Sequence, residues 1–507
     1  MKGVGRTSIR SSRVTTTAGV VDGFVRDGVV RWRSIPYARA PRGPLRFRAP
    51  RPAAPWRGLR HCYEFSTCAP QLAAFTTVRL RQRQEMSEDC LSLNVVAPAA
   101  MSDELLPVML FIHGGGYVVG TSAMALYDGA PLARRGCIFI SVNYRLGALG
   151  CLDLSALSTS DDVIESNLYL RDLVAALEWV RDNIVAFGGD PDNVTIFGES
   201  AGGHAVSTLL AVPAASGLFH RAICQSAPAR MTRTETAAAE LAHSFVGVLG
   251  LRPQDAINAL RSASPAVLVS ALSELMKRTL RDRPCHFPVG ATVDGDYLPC
   301  DPLDAMANGA AHRVPLIVGH NSYESALFSA FGRFMPTSFS TIERFLDLAQ
   351  YGDRENFHRA YPDYPDRATC MKICSDVVFG AMAWRIAEAH SQYAATYLYQ
   401  YDYAPRPLSW CGLGATHATE LLALFDAYRH WPGSALTVAG DRGQTMAVAS
   451  DLRRRWLEFG RVGVPGADWP TITHGERAVR ILAHRSRFEV DPTPQRRQAW
   501  ERISLSA

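Results

Sequence analysis

Ser200 is the residue of this chain whose surroundings best suit nucleophilic chemistry. It is the serine of a Gly-Glu-Ser-Ala-Gly segment at 198–202, between an apolar run that predicts a strand and residues 201–212, which predict a helix. A serine on such a tight strand-to-helix turn presents its hydroxyl to the substrate side of a sheet. We predict that a side chain at Gly198 or Gly202 would collide with the adjoining strand or helix. The pattern alone is weak, since a Gly-rich turn that caps a helix looks the same.

A second segment offers backbone donors. Residues 113–116 read His-Gly-Gly-Gly and follow an apolar strand predicted over 107–112. Successive glycines allow several N–H groups to point into one space, which is what a developing oxyanion needs. A flexible loop is the alternative interpretation.

Glu324 and His417 each follow an apolar strand, predicted over 314–319 and 395–403. Taken singly, such a glutamate is usually a solvated loop residue and such a histidine a structural one. Their order along the chain after Ser200 is nucleophile, acid, histidine, which is the order of the α/β-hydrolases. The order favours a catalytic interpretation of all three.

The elements around these residues predict an α/β fold. A strand over 137–144, a helix over 168–187, the strand that leads to Ser200 and the following helix form a βαβ pattern, which implies a parallel sheet. We predict a large, mostly parallel central sheet flanked by helices, with N-terminal β-hairpins and a helical cap around 237–390. One domain is expected over 18–507, after a disordered leader at 1–17.

Composition excludes several classes of protein. The chain has 507 residues, 47% of them hydrophobic, and its net charge of +5 is spread along the sequence. It has no run of about 18 apolar residues and no apolar run near its start, so we expect neither a membrane span nor a secretory signal. Eleven scattered cysteines are typical of a reducing compartment, and with few lysines and many arginines they indicate a cytoplasmic, bacterial protein. We expect no metal, no cofactor and no nucleic-acid partner.

Arg46 and Glu88 are a candidate ion pair. An exposed pair would contribute little, whereas a half-buried, bidentate one would fix the loop between Cys68 and Cys90. A disulfide between these two cysteines is the less favoured alternative in the cytosol.

Over residues 20 to 500 the chain resembles the type-B carboxylesterases, a family that includes carboxylesterases, cholinesterases, bacterial p-nitrobenzyl esterases and the non-catalytic neuroligins. The resemblance is carried by 34–38, 88–91, 113–116, 187–191 and 198–203, together with Glu324 and His417. It implies an α/β-hydrolase fold with Ser200 as nucleophile, Glu324 as acid and His417 as base. It also implies an oxyanion hole formed by the N–H groups of Gly115, Gly116 and Ala201.

The resemblance also bears on neighbouring residues. Glu199 either tunes the charge of the site or, as we favour, holds a buried water network through Ser226. The loop from Cys68 to Cys90 lacks the tryptophan on which cholinesterases bind a quaternary ammonium, so choline esters are not expected as preferred substrates. Ala418 stands where the family usually has glycine.

The leading hypothesis is a serine carboxylesterase that hydrolyses small-molecule esters with short to medium acyl or aryl groups, as a monomer or homodimer. A specialised hydrolase of carbamates or natural-product esters is an alternative within the same class. A catalytically silent, neuroligin-like binding protein is the alternative from a different class.

Overall fold

An eleven-stranded sheet forms the centre of the molecule. In the computed structural model, which describes residues 10–72, 77–79, 82–331, 335–473, 476–501 and 503, its strand order is β18-β17-β16-β15-β12-β11-β9-β10-β8-β4-β3. The seven strands from β17 to β10 in this order are parallel, and antiparallel strands flank them on both sides. The prediction of an α/β-hydrolase fold with a large, mostly parallel sheet is confirmed.

The strands are mostly short and apolar, as expected for strands covered on both faces. Their bounds are β1 Arg13–Thr15, β2 Val20–Asp22, β3 Phe24–Arg26, β4 Val29–Pro36, β5 Leu59–His61, β6 Thr77–Arg79, β7 Gln82–Arg83, β8 Ser92–Pro98, β9 Leu106–Ile112, β10 Ile138–Val142, β11 Gly189–Glu199, β12 Arg221–Gln225, β13 Thr232–Thr234, β14 Ala291–Val293, β15 Leu316–Asn321, β16 Thr396–Tyr401, β17 Ala478–Leu482 and β18 Arg487–Val490.

The helices cover the two faces of the sheet and form the insertions. Their bounds are α1 Ala130–Ala133, α2 Leu168–Asn183, α3 Ala201–Leu209, α4 Glu235–Val248, α5 Ala256–Ser262, α6 Pro265–Asp282, α7 Pro302–Ala307, α8 Ala326–Phe331, α9 Phe339–Leu348, α10 Arg354–Ala360, α11 Arg367–Ser375, α12 Ala381–His390, α13 Arg406–Trp410, α14 Thr419–Leu424, α15 Arg442–Val462 and α16 Pro494–Trp500. One turn of π-helix, Asp376–Gly380, joins α11 to α12.

The alternation of side chains along β9 divides the core into two layers. Val108, Leu110 and Ile112 belong to the larger apolar cluster on one face, and Met109 and Phe111 to the smaller cluster on the other. Both faces of the sheet are therefore covered by apolar side chains. Polar side chains that could react are expected at the ends of the strands.

The predicted disordered leader is wrong for residues 10–17. Strand β1 pairs with β2 in antiparallel register, the Trp32 indole donates to the Ser12 carbonyl at 2.6 Å, and Arg10 donates to the Pro98 carbonyl. The backbone pairing and the buried tryptophan fix this segment although its sequence is polar. Residues 1–9 lie outside the described part of the chain.

The region predicted as a cap, around 237–390, is not one helical block. It contains β15, which is buried between β12 and β16 in the central sheet, and α12, which packs against β15 and β16. The helices α4 to α6 and α8 to α11 are therefore two insertions on either side of a core strand.

All eleven cysteines are free thiols. Cys68 and Cys90 are buried, Cys300 is half-buried and Cys411 is exposed. In the described ranges, no helix combines the length and hydropathy needed to span a bilayer.

Candidate active site

Ser200 lies between the end of β11 and the start of α3, in a conformation that few non-glycine residues adopt. Its φ and ψ are 60° and −127°, a combination that strains the backbone. The turn is held because the Ser200 N–H donates to the Gln225 carbonyl at 3.0 Å and the His204 N–H donates to the Ser200 carbonyl at 2.9 Å. The strain directs the serine side chain away from both elements, as at a nucleophile elbow.

The glycines around Ser200 have the steric role that the sequence predicted. A Cβ atom on Gly202 would lie 2.0 Å from the Ile112 carbonyl oxygen, and one on Gly198 would lie 2.6 Å from the carbonyl carbon of Gly202. Strand β9, the elbow and helix α3 are therefore in backbone contact. This close approach is possible only without side chains.

The glycine loop after β9 lies directly against the serine. A Cβ atom on Gly114 would be 2.9 Å from the Ser200 Cβ. Gly115 and Gly116 have φ values of 114° and 62°, which L side chains rarely adopt. In the described residues neither N–H donates a hydrogen bond, so both are available for an oxygen beside Ser200.

His417 is hydrogen-bonded to Glu324. Its Nδ1 lies 2.6 Å from Glu324 Oε2, and both side chains are buried. Glu324 also accepts from the Ser226 hydroxyl at 2.5 Å and from the Asn321 N–H at 2.7 Å. The direct partner of Ser226 is therefore Glu324, whereas the sequence analysis associated it with Glu199.

The second nitrogen of His417 faces Glu199. Nε2 lies 3.0 Å from Glu199 Oε1, and in the described residues no hydrogen bond joins His417 to the Ser200 hydroxyl. Burial lowers the pKa of the imidazole, but the charges of Glu199 and Glu324 outweigh burial and raise it well above its ordinary value. The imidazole thus has two acidic neighbours, one on each nitrogen.

Two aromatic rings cover the imidazole. The rings of Phe328 and Phe379 have centroids 5.0 Å and 4.8 Å from that of His417, and they stack on each other at 6.1 Å with an interplanar angle of 11°. Phe328 belongs to α8 and Phe379 to the π-helical turn. The histidine is in this way packed by two aromatic rings from the chain region that follows β15.

Glu420 is a third buried carboxylate that the sequence analysis missed. Its oxygens accept from Asn321 Nδ2 at 2.5 Å and from Gln225 Nε2 at 3.2 Å. Burial, together with the charges of Glu199 and Glu324, raises its pKa to about 8. A glutamate in the first turn of a helix is usually a solvated cap, so the sequence carried no signal beyond its position three residues after His417.

Arg46 and Glu88 form the half-buried bidentate pair that the sequence suggested. Arg46 Nε lies 2.7 Å from Glu88 Oε2 and Nη2 lies 2.5 Å from Glu88 Oε1. The remaining nitrogen, Nη1, donates to three carbonyls at the end of α5. One guanidinium therefore joins the N-terminal segment, the loop that ends at Cys90 and the first helical insertion.

Within the described ranges, no group of three or more histidine, cysteine, aspartate or glutamate side chains is arranged to hold a metal ion. The chemistry available to these residues is nucleophilic attack by a serine beside an imidazole, with backbone donors for an oxyanion.

Comparison with known proteins shows the family to which the chain belongs. The model of the carboxylesterase family matches residues 10–500. The para-nitrobenzyl esterase of Bacillus subtilis is 35% identical over 495 residues, which cover 96% of this chain and 97% of the relative. Liver carboxylesterase 1 of Mus musculus is 32% identical over 514 residues, which cover 91% of this chain and 86% of the relative.

Solved structures lead to the same family. A PNB esterase structure matches with a TM-score of 0.85 at 34% identity, covering 96% of this chain and 99% of the other. A carboxylesterase of Geobacillus stearothermophilus matches with a TM-score of 0.82 at 32% identity, covering 97% and 100%. The protein is thus an α/β-hydrolase. It belongs to the carboxylesterase family and is a carboxylic ester hydrolase.

Proposed function

We propose that the chain hydrolyses carboxylic esters through a Ser200–His417–Glu324 triad and an acyl-enzyme intermediate. The observation that carries this proposal is the 2.6 Å hydrogen bond between His417 and the buried Glu324, at the same sheet edge as the strained Ser200. A serine hydroxyl is a poor nucleophile at neutral pH and needs a base, and an imidazole held by a carboxylate is such a base.

In the first half of the reaction, His417 takes the proton of the Ser200 hydroxyl as Ser200 Oγ attacks the ester carbonyl. The N–H groups of Gly115, Gly116 and Ala201 stabilise the oxyanion, and each is expected to lower the barrier by about 3 kcal/mol. The imidazolium then gives its proton to the leaving alcohol, and the C–O bond of the ester breaks.

In the second half, water replaces the alcohol. His417 takes a proton from water, the hydroxide adds to the acyl carbonyl, and the tetrahedral intermediate collapses with the proton returning to Ser200 Oγ. Glu324 keeps the Nδ1 proton in place throughout and stabilises the charged imidazole. The imidazole must turn from Glu199 towards Ser200 for either step.

We propose uncharged esters with short to medium acyl or aryl groups as substrates. Two buried carboxylates, Glu199 and Glu324, disfavour an anionic substrate near Ser200, and the rings of Phe328 and Phe379 favour an apolar one. The relative named para-nitrobenzyl esterase supports an ester with an aromatic ring in its alcohol part.

A specialised ester or carbamate is the second candidate substrate. The observation that favours it is the presence of a phenmedipham hydrolase of Pseudarthrobacter oxydans and a fumonisin B1 esterase of Sphingopyxis macrogoltabida among the relatives, at 30% and 33% identity. Competition assays with such compounds against p-nitrophenyl butyrate would rank the two candidates.

The proposal is tested by intact-mass spectrometry after incubation with an organophosphonate fluoride, together with hydrolysis of p-nitrophenyl acetate and butyrate. We expect one adduct on wild-type protein and none on Ser200→Ala, which should lose turnover and keep its melting temperature. An adduct on the folded Ser200→Ala protein, or undiminished turnover by it, would show that another residue is the nucleophile.

We propose a cytoplasmic location and a monomeric or homodimeric state. The free thiols at Cys68 and Cys90, which flank one loop, support a reducing compartment. Size-exclusion chromatography with light scattering measures the oligomeric state.

A further inference from the structure

The last helix of the chain, α16, is bonded to the segment that packs against His417. Arg496 Nε lies 2.6 Å from Asp376 Oδ2, and Arg496 Nη2 donates to Asp376 Oδ1, so the pair is bidentate. Asp376 is the first residue of the π-helical turn and is 1% exposed. A charge buried to this degree is stable only with its partner in place.

A second bond joins the same two segments. The Tyr361 hydroxyl donates to Asp376 Oδ2 at 2.6 Å and accepts from the Trp500 indole at 2.7 Å. Tyr361 and Trp500 are both buried. Helix α16 therefore holds the π-helical turn through one ion pair and one chain of two hydrogen bonds.

The π-helical turn bears Phe379, whose ring lies 4.8 Å from the His417 imidazole. Single π-turns are energetically unfavourable and occur frequently at functional sites. Here Asp376 contacts α16 and Phe379 contacts the histidine from the same turn. The turn connects the end of the chain to the imidazole by direct contacts.

We propose that α16 is a positioning element for His417. Through Asp376, Arg496 holds Phe379 against the imidazole and confines the ring beside the elbow, where its Nε2 lies 3.0 Å from Glu199 Oε1. The inference rests on the proposed role of His417 as the base. An imidazole that is less confined spends less time in reach of the Ser200 hydroxyl, and small losses of alignment reduce turnover strongly.

The test is a double-mutant cycle on kcat for p-nitrophenyl acetate. Arg496→Met and Phe379→Ala should each lower kcat about tenfold with little change in KM, because alignment and not substrate binding is lost. The double variant should be no slower than Phe379→Ala alone, since both changes remove the same restraint.

Arg497→Met is the matched control. Arg497 is the next residue of α16, is more buried than Arg496 and forms ion pairs with Asp491 and Glu501, not with the π-helical turn. It should leave kcat unchanged and combine with Phe379→Ala additively. Melting temperatures of all variants set an assay temperature at which each is folded.

Arg496→Met leaves Asp376 unpaired and can unfold the protein, so Tyr361→Phe provides a milder variant. It removes one donor to Asp376 and should lower kcat about threefold, in proportion to the smaller loss.

The inference is overturned if Arg496→Met or Tyr361→Phe behaves like Arg497→Met, if the double variant loses about a hundredfold, or if KM alone changes. His417→Ala distinguishes a failure of the proposed triad from a failure of the positioning role. An active His417→Ala enzyme refutes the proposed triad, whereas an inactive one together with a normal Arg496→Met refutes only the positioning role.

Discussion

Single residues around His417 determine the charge of the site. Glu199 and Glu324 flank the imidazole, while Glu420, with its pKa raised to about 8 by burial and by those two charges, is protonated at neutral pH. Glu199 and Glu324 face the two nitrogens of the imidazole, and their charges raise its pKa and so stabilise the imidazolium. In the proposed mechanism this stabilises the intermediate in which His417 carries the proton of Ser200, and it also makes the free base harder to form.

The pH dependence of kcat/KM follows from the raised pKa of His417. The base must be neutral, and its pKa is raised, so we expect the acidic limb of kcat/KM to lie above the ordinary titration range of histidine. Glu199→Gln removes one of the two charges and should move that limb to lower pH. Initial rates of p-nitrophenyl acetate hydrolysis from pH 5 to 9 measure it.

Glu240→Gln, in the exposed part of α4, is the control for this measurement and should leave the limb in place. A limb that moves to higher pH in Glu199→Gln, or does not move, would show that Glu199 does not hold the imidazolium.

At this scale the sequence predicted the positions of strands better than side-chain contacts. The apolar strands predicted before Ser200, Glu324 and His417 are present, whereas the catalytic roles of these residues stay predictions. The partner of Ser226 was not recognisable, because which oxygen a hydroxyl meets depends on side-chain packing between β12 and β15. Ala418, where the family usually has glycine, has a φ of 63°, so this departure falls on a residue in the left-handed region.

At the scale of secondary-structure elements, the backbone contact between β9, the elbow and α3 predicts that a side chain at Gly202 disrupts the elbow. Gly202→Ala puts a Cβ 2.0 Å from the Ile112 carbonyl oxygen and must push the elbow away. We expect kcat to fall by about 100-fold and the free energy of unfolding to fall by about 1–3 kcal/mol. Ester turnover and denaturant titration measure the two effects.

Gly247→Ala is the matched comparison, since Gly247 is exposed in α4 and has no neighbour that a Cβ would meet. It should leave kcat unchanged and stabilise the protein by about 0.5–1 kcal/mol through helix propensity. Similar effects of both substitutions would argue against a tightly packed elbow.

The guanidinium of Arg46 joins three elements, so its removal should be costly. Arg46→Met leaves the Glu88 carboxylate half-buried without a partner and three carbonyls at the end of α5 without a donor. We expect the free energy of unfolding to fall by about 3–5 kcal/mol. Chemical denaturation followed by tryptophan fluorescence measures it.

Arg278→Met removes an arginine whose ion pair with Glu274 is half-exposed, and it should change stability little. If Arg46→Met were equally mild, the bonds of the Arg46 guanidinium would contribute no more to the free energy of unfolding than an ordinary surface ion pair.

The sequence predicted the elements that depend on local pattern. The strands before 113–116 and before Ser200, and the helix predicted over 168–187, are present with bounds shifted by a few residues and with a 3-10 turn at the end of that helix. Strand β1 was missed because its polar residues gain order only from pairing with β2, which is a non-local contact. The π-helical turn has no sequence pattern of its own, since its stability comes from Asp376 and its partners in α16.

For the whole molecule, the eleven free thiols predict that a reductant leaves activity and stability unchanged. Cys62 and Cys90 belong to the larger apolar cluster, Cys68 is also buried, and burial raises the pKa of the Cys62 and Cys68 thiols to about 11. Activity and melting temperature should therefore be the same with and without dithiothreitol. A marked loss in the presence of dithiothreitol would reveal a disulfide that the active protein needs.

Cys411 lies at the end of α13, on the chain segment that leads to His417, and it is the exposed thiol of the set. A maleimide fluorophore added to the folded protein will therefore react there first, while the buried thiols are shielded. The native sequence thus carries its own attachment point for a spectroscopic reporter close to the histidine loop. Motions of that loop during turnover can be followed by fluorescence without engineering a cysteine.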